Sequence, residues 1–242
     1  QCAGKARLMK LLVINPNTTQ SMTDQIARTA QDAARPGTEI VAVQPRQGPA
    51  SIQGFHDVAR CLSGVLDIAA DHADADAVIV ACFDDTGVDA LRCQFDAPVV
   101  GIGEAAAHFA SLVSCRFTVV TTLSRAIPNL RNNLQNSGLS ANCGSIRAAE
   151  VPVLELESNP GLAESRIAAE IERALREDAA EAIVLGCSGM ANLDTRLSER
   201  FQIPVIDGVK CAVSLAESLH GVGLRNSKAG GYAAVSHATS TY

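Results

Sequence analysis

Ala77-Val78-Ile79-Val80-Ala81-Cys82 and Ile183-Val184-Leu185-Gly186-Cys187 are two short, apolar, β-branched runs that each stop at a cysteine. Runs of this length and composition read as strands buried on both faces of a parallel sheet. Others lie at Leu11 to Ile14, Glu39 to Val43, Val99 to Ile102, Phe117 to Thr121 and Val205 to Ile206. Longer Ala-rich amphipathic stretches alternate with them and predict helices over Thr18 to Ala34, Phe55 to Asp74, Gly103 to Leu112, Asn129 to Ser137, Leu162 to Asp178 and Val209 to His220. Thr18 or Thr19 is placed to cap the first, and Gly37, Gly138 and Gly221 stand as stops after three of them. The alternation describes an α/β protein with parallel sheets.

The two cysteine-ended runs belong to a repeat. Cys82 comes 67 positions after Asn15, where a strand closes in Asn15-Pro16-Asn17, and Cys187 comes 66 positions after Thr121, where a strand closes in Thr121-Thr122. Pro98-Val99-Val100-Gly101 lies 16 positions beyond Cys82 and Pro204-Val205-Ile206-Asp207 lies 17 beyond Cys187, each leading into a helix. The expected fold is therefore two similar, pseudo-symmetric lobes, each with a parallel sheet of the four-stranded type flanked by helices. Ligands of such sheets sit at the carboxyl ends of strands, where loops and helix N-termini present backbone N–H groups. Equivalent strand ends of two facing lobes meet across a cleft, and that places Cys82 opposite Cys187.

Two opposed thiols suit proton transfer at carbon. Inverting a carbon centre needs a base on one face and an acid on the other, and two cysteines can exchange these roles. A free thiol titrates near 8.5, and a helix N-terminus lowers it, so one thiolate and one thiol are expected to coexist near neutrality. Backbone N–H groups around Phe83-Asp84-Asp85 and Ser188-Gly189 are placed to hold a developing enolate oxygen. Cys61, Cys93, Cys115, Cys143 and Cys211 lack these matched positions and read as small buried hydrophobes. Asn15 and Asn17 serve equally as turn formers and as ligand contacts. Gln44 to Gly54, rich in Gly, Pro and Ser, reads either as a loop over the cleft or as a plain connection.

Composition narrows the partners. With 242 residues the chain is long enough for two lobes with real cores. A formal charge of -6, with Lys only at 5, 10, 210 and 228, disfavours a nucleic-acid partner and leaves a small molecule. No apolar window approaches the length of a membrane span, and Gln1 to Lys10 carries no signal-peptide core, so the expected location is the cytoplasm. The residues before the first strand read as a short extension. Eight cysteines without CxxC pairing read as reduced thiols. Exposed apolar helix faces could support a homo-oligomer.

Taken together, Leu12-Val13-Ile14-Asn15-Pro16-Asn17-Thr18-Thr19, Ala81-Cys82-Phe83-Asp84-Asp85-Thr86-Gly87, Pro98 to Ala105, Thr121-Thr122 and Val184 to Ala191 resemble the aspartate/glutamate/hydantoin racemase superfamily, and most of all its hydantoin and allantoin racemase branch. The resemblance runs from about Leu11 to Tyr232. It implies a cofactor-independent racemase of 5-monosubstituted hydantoins, allantoin among them, with the active site between the lobes. The first lobe would hold residues 10–101 plus 208–233 and the second residues 102–207. The family's two catalytic cysteines fall on Cys82 and Cys187, and its ligand contacts on Asn15, Pro45, Phe83, Asp84, Thr121, Thr122, Ser188 and Gly189. Where many relatives read Gly-Asp-Pro-Gly, this chain reads Asp84-Asp85-Thr86-Gly87.

Other chemistries fit less well. Gly101-Ile102-Gly103-Glu104-Ala105-Ala106 matches a dinucleotide-binding turn, but the next strand ends in Thr121-Thr122 rather than in an acidic residue, so close helix packing explains its glycines better. Histidines 56, 72, 108, 220 and 237 show no metal spacing, and His108 and His220 read as surface or packing residues. Lys210 beside Asp207-Gly208 is the one lysine that a Schiff base could use. No metal or cofactor is expected. The alternatives are a related two-cysteine isomerase or decarboxylase, such as a maleate isomerase, an arylmalonate decarboxylase or an amino-acid racemase, and a non-catalytic two-lobed binder of small ligands.

Overall fold

Alternate residues of each central strand point into different helical layers, and most are apolar because both layers are largely dry. In the computed structural model, which describes residues 8–234, the first half runs β1 (Met9–Ile14), α1 (Gln20–Ala33), β2 (Thr38–Val43), α2 (Phe55–Ala70), β3 (Ala77–Val80), α3 (Val88–Gln94), β4 (Val99–Gly101) and α4 (Ile102–Val113). The second runs β5 (Phe117–Thr121), α5 (Ile127–Asn136), β6 (Cys143–Ala148), α6 (Glu155–Ser158), α7 (Pro160–Glu177), β7 (Ala182–Gly186), α8 (Asp194–Phe201), β8 (Val205–Ile206) and α9 (Gly208–Gly221). The sheets have the orders β2-β1-β3-β4 and β6-β5-β7-β8, and every pairing is parallel. The second order is the first with each strand replaced by its repeat partner, so the expected α/β fold of two similar lobes holds.

The strand faces sort the cores. Leu12, Ile14, Val78, Val80 and Val99 pack outward against Val65 and Ala69 of α2 and Val88 and Leu91 of α3. Leu11, Val13, Ile79 and Val100 point the other way, into a central core shared with Phe117, Val119 and Val184 of the second sheet. Helices α4 and α9 fill that centre through Ala105, Ala106, Ala110, Ala212, Val213 and Ala216. The small side chains allow close helix approach: a Cβ at Gly208 would stand 2.7 Å from the carbonyl oxygen of Ile102. The outer face of the second sheet packs Val120, Ile183, Leu185 and Val205 against Ala163, Ile167 and Ile171 of α7 and Leu197 of α8.

Several local expectations need correction. Strand β6 was not expected, because Cys143-Gly-Ser-Ile-Arg-Ala148 has one large apolar residue and lies half-buried at a sheet edge. It is anchored by polar contacts instead: the Arg147 guanidinium donates to Asp178 and Glu177, and Ser145 donates to Asp178. Helices α3 and α8, of 7 and 8 residues, are too short to show helical periodicity in the sequence. Ile102 opens α4 rather than closing the strand before it. Thr19 does hold the N-cap position of α1, but its hydroxyl donates to the Ala50 carbonyl at 2.7 Å and caps nothing. Gly221 is the last residue of α9, and the left-handed position beyond that helix belongs to Gly223, φ 75°. Among the described unmatched cysteines, Cys61 and Cys211 are buried, Cys115 is exposed, and Cys93 and Cys143 are half-buried.

Burial pushes the thiols of Cys61 and Cys143 up to about 11 and that of Cys211 up to about 12, from an ordinary value of 9.0. Unfolded chains release these protons near pH 9, while the folded protein keeps them. Their contribution is therefore complete below pH 9 and is lost as the pH rises through 11 to 12. Thermal melts followed by circular dichroism should show the midpoint falling above pH 9. The fall should be shallower in a Cys61→Ala, Cys211→Ala variant; equal slopes would contradict this account.

Candidate active site

Both matched cysteines leave the hydrogen-bond ladder at equivalent points. The Ala81 N–H still donates to Ile14, extending the β1–β3 pairing by one step. Cys82 then turns away, its carbonyl accepting the Asp85 N–H at 2.9 Å across a turn in which Asp85 takes φ 50°. In the second lobe, Thr121 pairs with Gly186 at the last rung. Cys187 follows and opens a single helical turn over Ser188–Met190.

The two thiols line one cavity. Phe83 and Asp84 flank Cys82 there, and Thr121, Thr122, Gly186 and Ser188 surround Cys187. Asn17, Met22 and Ile52 close it from the first half of the chain, and Ala126, Leu130 and Val153 from the second. It is a small cavity of about 30 Å³. Two contacts tie α1 to the second half of the chain outside this cavity: Ser21 Oγ donates to Glu157 at 2.6 Å, and Gln25 Nε2 to the Ala191 carbonyl at 3.3 Å.

Phe83, Asp84, Thr121, Thr122 and Ser188, all expected ligand contacts, are thus brought together, whereas Asn15, Pro45 and Gly189 do not line the cavity. Asn15 lies beneath it, donating to Asn17 Oδ1 at 3.0 Å and to Thr23 Oγ1 at 2.9 Å, and so orients Asn17. Pro45 packs against α2 so closely that a Cβ at Gly64 would come within 2.8 Å of it. Gly189 presents its backbone N–H to the Cys187 sulfur. Thr121 spends its hydroxyl proton on the Gly186 carbonyl, 3.1 Å away. The 44–54 loop reaches the cavity through Ile52 and is stitched to the Asn-Pro-Asn turn by the Thr18 N–H donating to the Pro49 carbonyl. Met22, Ala126, Leu130 and Val153 had no sequence signal, because each is an ordinary apolar residue of a buried face.

The electrostatics correct one expectation. Neither thiol is drawn towards neutrality. Burial pushes Cys187 up to about 11 against the Gly189 N–H, with the Asp84 charge adding to the rise. Burial and then the Asp84 charge also push Cys82 well above its ordinary value, although the Asp84 N–H opposes them. The single turn after Cys187 and the bend after Cys82 supply one N–H each, too little to offset desolvation.

The glycine-rich turn has a packing role. Asp85 Oδ1 accepts the Gly103 N–H and its Oδ2 the Glu104 N–H, each at 2.8 Å, so Asp85 caps α4 from outside the helix. The anion position of that helix N-terminus is filled by the chain's own carboxylate. Lys210 is likewise committed, to Asp194 at 2.6 Å. His108 and His220 are exposed. No group of three or more His, Cys, Asp or Glu side chains among the described residues is placed to hold a metal ion.

Comparison with known proteins places the fold and the sequence in a family. The Asp/Glu/Hydantoin racemase family matches residues 11–216. The chain is 44% identical to a hydantoin racemase of Rhizobium meliloti over 227 residues, 93% of this chain and 94% of that protein. It superposes on the allantoin racemase of Klebsiella pneumoniae with a TM-score of 0.91 at 43% identity, covering 94% of each chain. For the allantoin racemase of Pseudomonas fluorescens the TM-score is 0.92 at 43% identity, covering 94% of this chain and 97% of that one. Fold and sequence agree: the chain belongs to the Asp/Glu/hydantoin racemase family and is a racemase.

Proposed function

We propose that this racemase inverts C5 of 5-monosubstituted hydantoins, allantoin among them, with Cys82 and Cys187 as the two acid–base groups and no cofactor. The observation that carries this reading is that both thiols line one cavity from repeat-related strand ends. One thiolate removes the C5 proton, the charge passes to the neighbouring ring carbonyl as an enolate, and the opposite thiol returns a proton to the other face. The enzyme is then left with its protonation states exchanged, ready for the other enantiomer. With the Asp84 and Gly189 N–H groups aimed at the sulfurs and the Asp85 N–H used in its turn, the Phe83 and Ser188 N–H groups are assigned to the developing oxyanion. Phe83, Asp84, Thr121, Thr122 and Ser188 would touch the substrate directly, and Asn15, Pro45 and Gly189 would act through what they support. We divide the lobes as 10–101 plus 208–233 and 102–207, and place the enzyme in the cytoplasm as a homo-oligomer.

The deciding experiment incubates single-enantiomer hydantoins and allantoin in deuterated water, following optical rotation and deuterium at C5. Loss of rotation with one deuteron gained per inversion is expected; retained rotation with every substrate rejects the reading. The pH profile gives a second check. Because the reactive form is a thiolate and both thiols are raised, kcat/KM should climb by about tenfold per pH unit from pH 7 to 9. A plateau reached by pH 8 would contradict it.

A further inference from the structure

We propose that Asp84, held in place by Asn129 of α5, selects the substituent on the reacting carbon, favouring substituents with N–H donors over apolar and anionic ones. The proposal rests on the hydantoin reading above and deepens it. Among the described residues, Asp84 is the one carboxylate that lines the cavity, and no Lys, Arg or His lines it. Nothing there neutralises an added negative charge.

The carboxylate is fixed rather than free. Asn129 Nδ2 donates to Asp84 Oδ1 at 2.8 Å, and Asn133 Nδ2, one turn further along α5, donates to the Asp84 carbonyl at 2.8 Å. Both amides come from the second half of the chain, so Asp84 is braced across the cleft. Its Oδ2 has no hydrogen bond among the described residues and is not one of their fully buried unpartnered atoms, so it is left to water or to a ligand. An ionised carboxylate offers about four acceptor positions, and covering one of them without supplying a donor is unfavourable. A substituent bearing N–H groups supplies those donors; an alkyl or aryl group leaves the acceptor unpaired, and a carboxylate is repelled. Asp84 also stands close enough to Cys82 and Cys187 for its charge to act on both, which puts it within reach of a group on the carbon between them. Asp57 of α2 and the neighbouring Asp85 also act on it, both negative, which reinforces the rejection of anions.

The test compares kcat/KM for three hydantoins in wild type and in Asp84→Asn: allantoin, whose 5-ureido group is rich in N–H donors, 5-benzylhydantoin, and 5-(2-carboxyethyl)hydantoin. Asparagine keeps the size of Asp84 and can still accept from Asn129. Ratios between substrates within one preparation are independent of the fraction folded. The allantoin-to-benzyl ratio should fall by about 10–100-fold, and the carboxyethyl-to-benzyl ratio should rise. Asn129→Leu, which removes the brace, should move both ratios the same way by less. An equal change for all three substrates would overturn the proposal and assign Asp84 to a ring N–H or to the thiols, the latter marked by a shift of the pH profile alone. If the wild type racemises none of the three, the hydantoin reading itself fails, and this proposal with it.

Discussion

Serine at position 82, and separately at position 187, should each lower racemisation by about a thousandfold or more, because a two-base reaction stops when either face loses its proton carrier. Serine is close in size and hydrogen-bonding shape, but its hydroxyl holds its proton far more tightly than a thiol. The readout that separates a chemical from a structural effect is isotopic. Each single variant keeps one thiol, which can remove and return the C5 proton on its own face. Deuterium should therefore enter one enantiomer without inversion, and the other enantiomer in the partner variant. A single variant with near wild-type racemisation would reject the pair, and the same enantiomer exchanging in both variants would reject their opposed placement.

The largest effect on stability is expected at Gly101. Its φ of −86° suits any residue, so the requirement is space. A Cβ there would lie 2.1 Å from Asp85 Oδ1 and 2.4 Å from its Cγ, with little freedom to yield because Asp85 is locked to two N–H groups of α4. Gly101→Ala must expel that carboxylate, losing the cap on α4 and disturbing the bend that follows Cys82. Overpacking and a lost cap together cost about 3 kcal/mol, which lowers the melting temperature of a chain of this size by roughly 6–12 °C. Asp85→Gly removes the obstructing side chain and suits the positive φ. The double variant should therefore be more stable than the sum of the two single changes allows; strict additivity would show that the alanine clashes with something else.

Legibility followed how local each cause was. Strands β1, β3, β5 and β7 were readable because a strand buried on both faces is built mostly from apolar and β-branched residues. Strand β6 was not, since an edge strand held by Arg147 and Asp178 needs no such run. Thr122 and Ser188 were found at the cavity through their places beside strand ends, whereas Met22, Leu130 and Val153 look like any core residue. Asn15 and Gly189 carry the motif yet lie outside the cavity, Asn15 bonded to Asn17 and Gly189 turning its N–H to the Cys187 sulfur. A motif shows that a position matters without showing which atom does the work. The G-x-G-x-x-A turn is the converse: its glycines make room for Asp85, 16 and 18 residues away.

What the sequence by itself determined is the repeated α/β unit and the thiol at each strand end, because strand and helix periodicities and their repetition are local properties of the chain. Only the tertiary structure decided what surrounds those thiols. It shut them in a cavity with Asp84 and raised their affinity for protons instead of lowering it. Desolvation and charge sum over every atom nearby, and most of the atoms around Cys82 come from parts of the chain that the sequence does not place beside it.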